Sequence, residues 1–235
     1  MTEELFRSDH YLKSCEATVT AADERGIQLD RTVFYVMGGG QPGDSGSFAL
    51  GDGRRLVIAD TRKGAVPGEI LHLPAPGQAL PQVGDKLVAA IDWEQRYRRM
   101  RIHTCLHLLS AVVAGGVTGG QIGEGKGRLD FDTEETLDKG RIEAEINRLI
   151  AEDHPVGMRW ITEEELAAKP ELVRTMSVKP PVGQGRVRLL DIAGVDLQPC
   201  GGTHVARTGE IGRIAVPKIE NKGRHNRRVN IAFAE

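Results

Sequence analysis

The sequence predicts an α+β protein in two parts, a small N-terminal β-barrel followed by a domain of helices packed on an antiparallel sheet. Three observations lead there. Residues 1–91 read as short β-branched or alternating runs broken by Gly, Pro and Asp. At Asp92 the pattern changes to a helix-length stretch, and a second such stretch follows it. Near its end the chain returns to strands. The predicted boundaries are 1–91 and 92–235, and 235 residues suffice for two modest domains.

In the first part, strands are expected at 17–21, 32–36, 55–59, 69–73 and 86–91, and the 29 glycines of the chain suit tight barrel corners. Residues 93–113 read as a helix with Met100, Leu106, Leu109 and Val113 near one face, stopped by Gly115 and Gly116. A second helix is expected over 134–152, capped by Thr133 and carrying the apolar stripe Ile142, Ile146, Leu149, Ile150. Thr162 and Glu165 form a capping-box pair that opens a short third helix, ended by Pro170. Further strands are expected at 186–192, 195–198, 212–216 and 228–232. Gly123-Glu-Gly-Lys-Gly lacks the full phosphate-loop pattern and reads as a hairpin turn.

A net charge of −2 excludes an overall polycation, so any nucleic acid must be met by a local patch. Three cysteines without framework spacing point to a reducing compartment and to thiols used as ligands. The charged start carries no apolar core of signal-peptide length, and no apolar run approaches a membrane span. A cytoplasmic location without membrane association is expected.

The chemistry concentrates in four residues. His103 and His107 stand four apart on the expected helix and project from one face. Far down the chain, Cys200 and His204 make a Cys-x-x-x-His with Gly201 and Gly202 between them. Together they are one shell for a tetrahedral zinc ion, provided folding unites them. The plainer reading is a hydrogen-bonded histidine pair beside a buried thiol; it leaves unexplained two glycines that would let backbone pass close to something. Zinc peptidases place a glutamate after the first histidine, and Thr104 there argues against that class. Four protein ligands resemble a closed structural site, whereas a catalytic one keeps a position open. Gln41 also stands out, with three glycines before it, Gly43 after it, and an amide that both donates and accepts. The alternative there is a solvated corner of the barrel.

These motifs resemble a known family. The stretch from Asp92 through Arg-Ile-His-Thr-Cys-Leu-His-Leu-Leu is similar to the first zinc segment of alanyl-tRNA synthetase editing domains. Asp191-Ile-Ala-Gly-Val-Asp-Leu-Gln-Pro-Cys-Gly-Gly-Thr-His is similar to the second. Gly38-Gly-Gly-Gln-Pro-Gly-Asp-Ser-Gly resembles the glycine-rich loop of the preceding barrel, and Gly127-Arg-Leu-Asp-Phe a strand between the zinc segments. The resemblance covers essentially the whole chain in order, without an aminoacylation domain or a long helical extension. It therefore implies a free-standing alanyl-tRNA editing protein of the medium-length AlaX type.

The family hydrolyses tRNA(Ala) wrongly charged with serine, and in some members glycine. What the resemblance implies here is a zinc-dependent hydrolase acting on the charged acceptor end, with no obligatory protein partner. A pocket built for alanine discriminates weakly against a substrate that merely adds a hydroxyl, so a second site is needed. By resemblance Gln41 reaches the editing pocket, and Thr118 matches a threonine that bonds the serine hydroxyl. Arg96, Arg98, Arg99 and Arg101, with Lys218, Lys222, Arg224, Arg227 and Arg228, are the candidate phosphate contacts, chiefly Arg96, Arg99, Arg224 and Arg228. Two rival readings stay open: a zinc-stabilised tRNA-binding module without turnover, and editing of a different mischarged tRNA.

Overall fold

A computed structural model describes residues 1–176 and 185–234, and these divide into two compact units, Met1–Tyr97 and Arg98–Glu235. The first unit holds strands β1 (Glu3–Glu4), β2 (Ser14–Asp23), β3 (Gly26–Leu29), β4 (Arg31–Thr32), β5 (Gly46–Leu50), β6 (Arg55–Lys63), β7 (Ile70–Pro74) and β8 (Lys86–Ile91). Six of them close into an antiparallel barrel in the order β2-β3-β7-β6-β5-β8, which leaves those strands no open edge. Their alternation points Val19, Ile27, Phe48, Ile58 and Ala89 inward, and Val33 and Phe34 join this core from a loop.

The strand expected at 32–36 stops at Thr32. Beyond it the backbone donors turn to side chains: the Phe34 N–H bonds Thr32 Oγ1 at 3.1 Å and the Tyr35 N–H bonds Asp44 Oδ2 at 2.7 Å. Side-chain acceptors take the place of a strand partner, and the apolar run is buried without a ladder. Conversely, β3 and β5 contain glycines at their starts, which had read as turns.

His72 sits on β7 with no exposed surface. Its Nε2 lies 2.8 Å from Thr32 Oγ1 and its Nδ1 2.9 Å from the Ile27 carbonyl, with Phe34 and Phe48 edge-on against the ring. Burial pulls its pKa from 6.5 to about 4, against a weaker upward pull from the Ile27 carbonyl. The folded value lies below the unfolded one, so the stabilisation is full above pH 6.5 and is lost as pH falls towards 4. It amounts to about 3 kcal/mol. Unfolding curves between pH 7 and 4 are expected to show this slope in the parent protein and not in a His72→Gln variant, which keeps a donor and an acceptor but does not titrate. Equal slopes would contradict the assignment.

Helix α1 (Trp93–Val112) contains the division between the units. The second unit continues with β9 (Gly116–Ile122), β10 (Lys126–Asp132), α2 (Lys139–Ala151), β11 (Val156–Thr162), α3 (Glu163–Ala167), β12 (Arg186–Ile192), β13 (Asp196–Pro199), β14 (Ile214–Gly223) and β15 (Asn226–Phe233). Two antiparallel sheets result, β14-β15-β10-β9 and β11-β12-β13, with α2 against β14. The glycine-rich segment 123–127 is the β9–β10 turn, closed by the Gly123 N–H on the Lys126 carbonyl at 2.8 Å. A side chain at Gly127 would come within 2.7 Å of Ile102 on α1, so glycine there lets sheet and helix approach closely.

The capping box at Thr162 and Glu165 is present at the start of α3. Helix α2, however, begins at Lys139 and not near 134. Asp138 is its cap, accepting from the Arg141 N–H at 3.0 Å. The Thr133 hydroxyl accepts from the Glu135 N–H and its own N–H donates to the His225 carbonyl, while the Glu134 carbonyl accepts from Arg227 and its carboxylate meets His225. The segment before α2 is therefore held by the β14–β15 turn, and tertiary bonds win over helix propensity.

Candidate metal centre

Folding of the second unit brings His103, His107, Cys200 and His204 together, with one donor atom of each within 4.8 Å of all the others. Helix α1 supplies the first two from successive turns. The others follow β13, whose register on β12 runs from Asp196 opposite Ile192 to Pro199 opposite Leu189. Cys200 Sγ lies 3.5 Å from His103 Nε2 and 3.2 Å from His204 Nε2. Ligands around a tetrahedral ion at ordinary Zn–N and Zn–S lengths are separated by about 3.3–3.7 Å. One soft thiol and three imidazoles are a donor set that suits such an ion, and the residues fit it.

The electrostatics of the thiol agree. Burial raises the Cys200 thiol, but the three surrounding imidazoles outweigh it and hold the thiol well below its usual range, favouring the thiolate a metal requires. Burial lowers His107, yet the Cys200 charge and the Asp196 hydrogen bond carry it up to about 9. His204 is pushed well down by burial and by His103. Cys105, also buried on α1, has its thiol pushed up by burial and takes no part in the cluster.

Around these four stands a shell that the sequence reading passed over. Asp196 Oδ2 lies 3.0 Å from His107 Nδ1 and accepts from Gln198 Nε2 at 2.7 Å. Gln198 also donates to Ser110 Oγ at 2.9 Å, and Ser110 donates to the His107 carbonyl at 2.9 Å. Arg174 Nη1 donates to the Ser110 carbonyl at 2.7 Å. Arg188 holds the turn before His204, donating to the carbonyls of Cys200, at 2.9 Å, and of Gly202. The signal was available: Asp196 and Gln198 precede Cys200 by four and two residues, so a strand there points both to one face. Of the two glycines between Cys200 and His204, a side chain at Gly201 would meet no protein atom within 4 Å. The turn is shaped by Arg188 drawing on its carbonyls.

In the first unit the glycine-rich loop is a tight hairpin. Gly39 and Gly40 have φ of 57° and 81°, as a two-residue I′ turn requires, and Gly38 and Gln41 exchange both backbone hydrogen bonds at 3.0 and 3.1 Å. Gln41 is 1% exposed, so the alternative of a solvated corner is corrected.

The remaining candidates separate. Arg96 is fully buried: its guanidinium donates to Asp44, to the His10 carbonyl at 3.1 Å and to the Val33 carbonyl at 2.7 Å. It is a structural anchor of the first unit and is corrected as a phosphate contact, its charge already met inside. Arg99 is nearly buried and lies 3.9 Å from Glu124, Arg228 is bidentate on Asp130 at 2.7 and 2.8 Å, and Arg224 is 85% exposed at its side chain. Thr118 is half-buried at the β9 bulge, donating to the Asp130 carbonyl at 3.2 Å and accepting from Asn226 at 3.4 Å. Among the described residues no helix is long and apolar enough to cross a membrane.

Comparison with known proteins fits this architecture. Residues 7–95 match the family described as tRNA synthetases class II (A), and residues 187–230 the threonyl and alanyl tRNA synthetase second additional domain. Barrel and cluster together thus define a protein assembled from synthetase-type accessory domains. The alanyl-tRNA editing protein AlaX-M of Methanosarcina mazei is 38% identical over 100% of this chain and 98% of its own length; that of Saccharolobus solfataricus is 35% identical over 97% and 98%. An alanine–tRNA ligase of Saccharolobus islandicus is 34% identical over 93% of this chain but only 25% of itself. The chain belongs to the AlaX-M family of alanyl-tRNA editing proteins.

Proposed function

We propose that this protein is a zinc-dependent hydrolase that removes serine, and more slowly glycine, from mischarged tRNA(Ala). The observation that supports it best is the convergence of the three-histidine, one-cysteine cluster in a chain matched end to end by editing proteins named for alanyl-tRNA. Bound there by His103, His107, Cys200 and His204, zinc would supply Lewis acidity toward an ester that is already activated. The protein's own groups have the positioning to do. Thr118 is proposed to read the serine hydroxyl with its own, and Gln41 to place the aminoacyl group through its amide. Arg99, Arg224 and Arg228 are proposed to meet acceptor-stem phosphates, Arg224 being the most exposed.

A closed set of four protein donors also favours a second reading, in which the ion is structural and the protein binds tRNA without turnover. Deacylation of tRNA(Ala) charged with serine, glycine or alanine separates the two. The expected result is rapid loss of serine, slower loss of glycine and a spared alanyl ester. Metal-loaded protein that binds tRNA(Ala) but leaves all three esters intact would establish the second reading. In the same assay Gln41→Ala is expected to slow serine removal. Because the amide is buried, the change is also expected to lower stability by about 1–3 kcal/mol.

A further inference from the structure

Two histidines of the cluster meet a buried side chain at Nδ1, His204 at Thr104 and His107 at Asp196. Thr104 lies between His103 and His107 on α1 and is fully buried. Its Oγ1 is 3.0 Å from the Met100 carbonyl, 3.2 Å from His204 Nδ1 and 3.3 Å from the Val205 N–H. A hydroxyl has one proton, and the Met100 carbonyl can only accept it. The Val205 N–H can only donate. The remaining contact is then satisfied if His204 Nδ1 carries a hydrogen and donates to Thr104, which leaves Nε2, 3.2 Å from Cys200 Sγ, as the nitrogen on the cluster side of the ring. His107 meets the same logic at Asp196, whose Oδ2 lies 3.0 Å from Nδ1 and accepts from Gln198 Nε2, so that Nε2 is again the nitrogen on the cluster side.

We infer that Thr104 and Asp196 are positioning residues of the metal centre, which fix His204 and His107 as Nδ1–H tautomers so that both present Nε2 to the ion. Thr104 has a second consequence. One hydroxyl ties the helix that carries two ligands to the His204–Val205 backbone that carries another, so the two halves of the site are joined by the protein itself. This accounts for a threonine where a peptidase would need a glutamate: the position faces the second ligand segment and serves as a hinge pin between them. The inference rests on the zinc reading, since the ion displaces the proton from each Nε2 that it takes.

The test has two parts. Zinc affinity, measured by competition with a chelator of known strength, is expected to fall about 10–100-fold in Thr104→Val, which leaves the His204 Nδ1–H and the Val205 N–H without an acceptor. Thr104→Ser keeps the oxygen and is expected to stay within about threefold of the parent. Asp196→Asn, which keeps an acceptor but loses the charge, should fall between them. Circular dichroism checks that each variant is folded. Unchanged affinity in the valine variant, or equal loss in the serine variant, would overturn the assignment. Nitrogen-15 NMR of the histidine side chains in the parent protein gives an independent reading that does not require any variant to fold. In the zinc-loaded protein, hydrogens on Nδ1 of His107 and His204 are expected, and metal bound through Nδ1 of either ring would refute the inference. A parent protein that binds no zinc would refute the zinc reading instead.

Discussion

Arg96→Met is expected to destabilise the N-terminal unit by about 3–5 kcal/mol, the cost typical of breaking a buried ion pair from one side. The guanidinium is fully buried and joins three chain segments: Asp44, the His10 carbonyl and the Val33 carbonyl. Asp44 in turn accepts the Tyr35 N–H at 2.7 Å, and its carbonyl accepts the Thr61 hydroxyl at 2.8 Å. Removing the cation leaves a carboxylate and two carbonyls out of water with too few donors. Arg96→Lys should recover only part of the loss, because an ammonium cannot present the planar fork that spans these acceptors. The decisive comparison is the double variant Arg96→Met, Asp44→Leu. Its cost should fall short of the sum of the single changes by about 0.5–3 kcal/mol, as expected for groups in direct contact. Strict additivity in chemical denaturation would show that the two charges do not depend on each other.

Cys200→Ala carries the second large effect. With the thiolate gone, the three remaining imidazoles offer an incomplete shell, and a zinc content near one per chain should drop close to zero after modest chelation. Editing of serine-charged tRNA(Ala) should disappear with it. Thermal stability should also fall, since the free energy of holding the ion contributes to that of the fold. Cys105→Ala is the control: that thiol is buried on the same helix and outside the cluster, so metal content should be unchanged. Cobalt substitution gives a direct view, because a thiolate–cobalt charge-transfer band should be present in the parent protein and in the Cys105 variant and absent from the Cys200 variant. A Cys200 variant that retains stoichiometric metal would refute the ligand assignment.

Much of this was legible in the sequence wherever one signal dominated. The expected strands at 86–91 and 186–192 coincide with β8 and β12, and α1 ends one residue before the expected stop, because clear periodicity was bounded by strong breakers. The four clustered donors were legible because ligand chemistry restricts residue type and spacing at once. Other features were hidden for identifiable reasons. Arg96 looks like a surface charge, since hydrophobic patterning cannot foresee an arginine satisfied entirely by internal acceptors. Strand β9, not expected from the sequence, includes Gly119 and Gly120; a side chain at Gly120 would press to 3.0 Å on Leu129. Asp196, Gln198 and Ser110 could be seen in the motifs, but their duties follow from a sheet register and a helix that meet only after folding.

The separation of the two ligand pairs along the chain bears on how the protein is made. His103 and His107 leave the ribosome about ninety residues before Cys200. Between those points a nascent chain offers only two of the four ligands, a grip too weak to retain a scarce ion. Full affinity arrives when β12 and β13 pair and carry the last donors to α1, one of the most non-local steps in the fold. Metal capture would thus act as a late checkpoint, drawing zinc into finished molecules and leaving aborted or truncated ones without it.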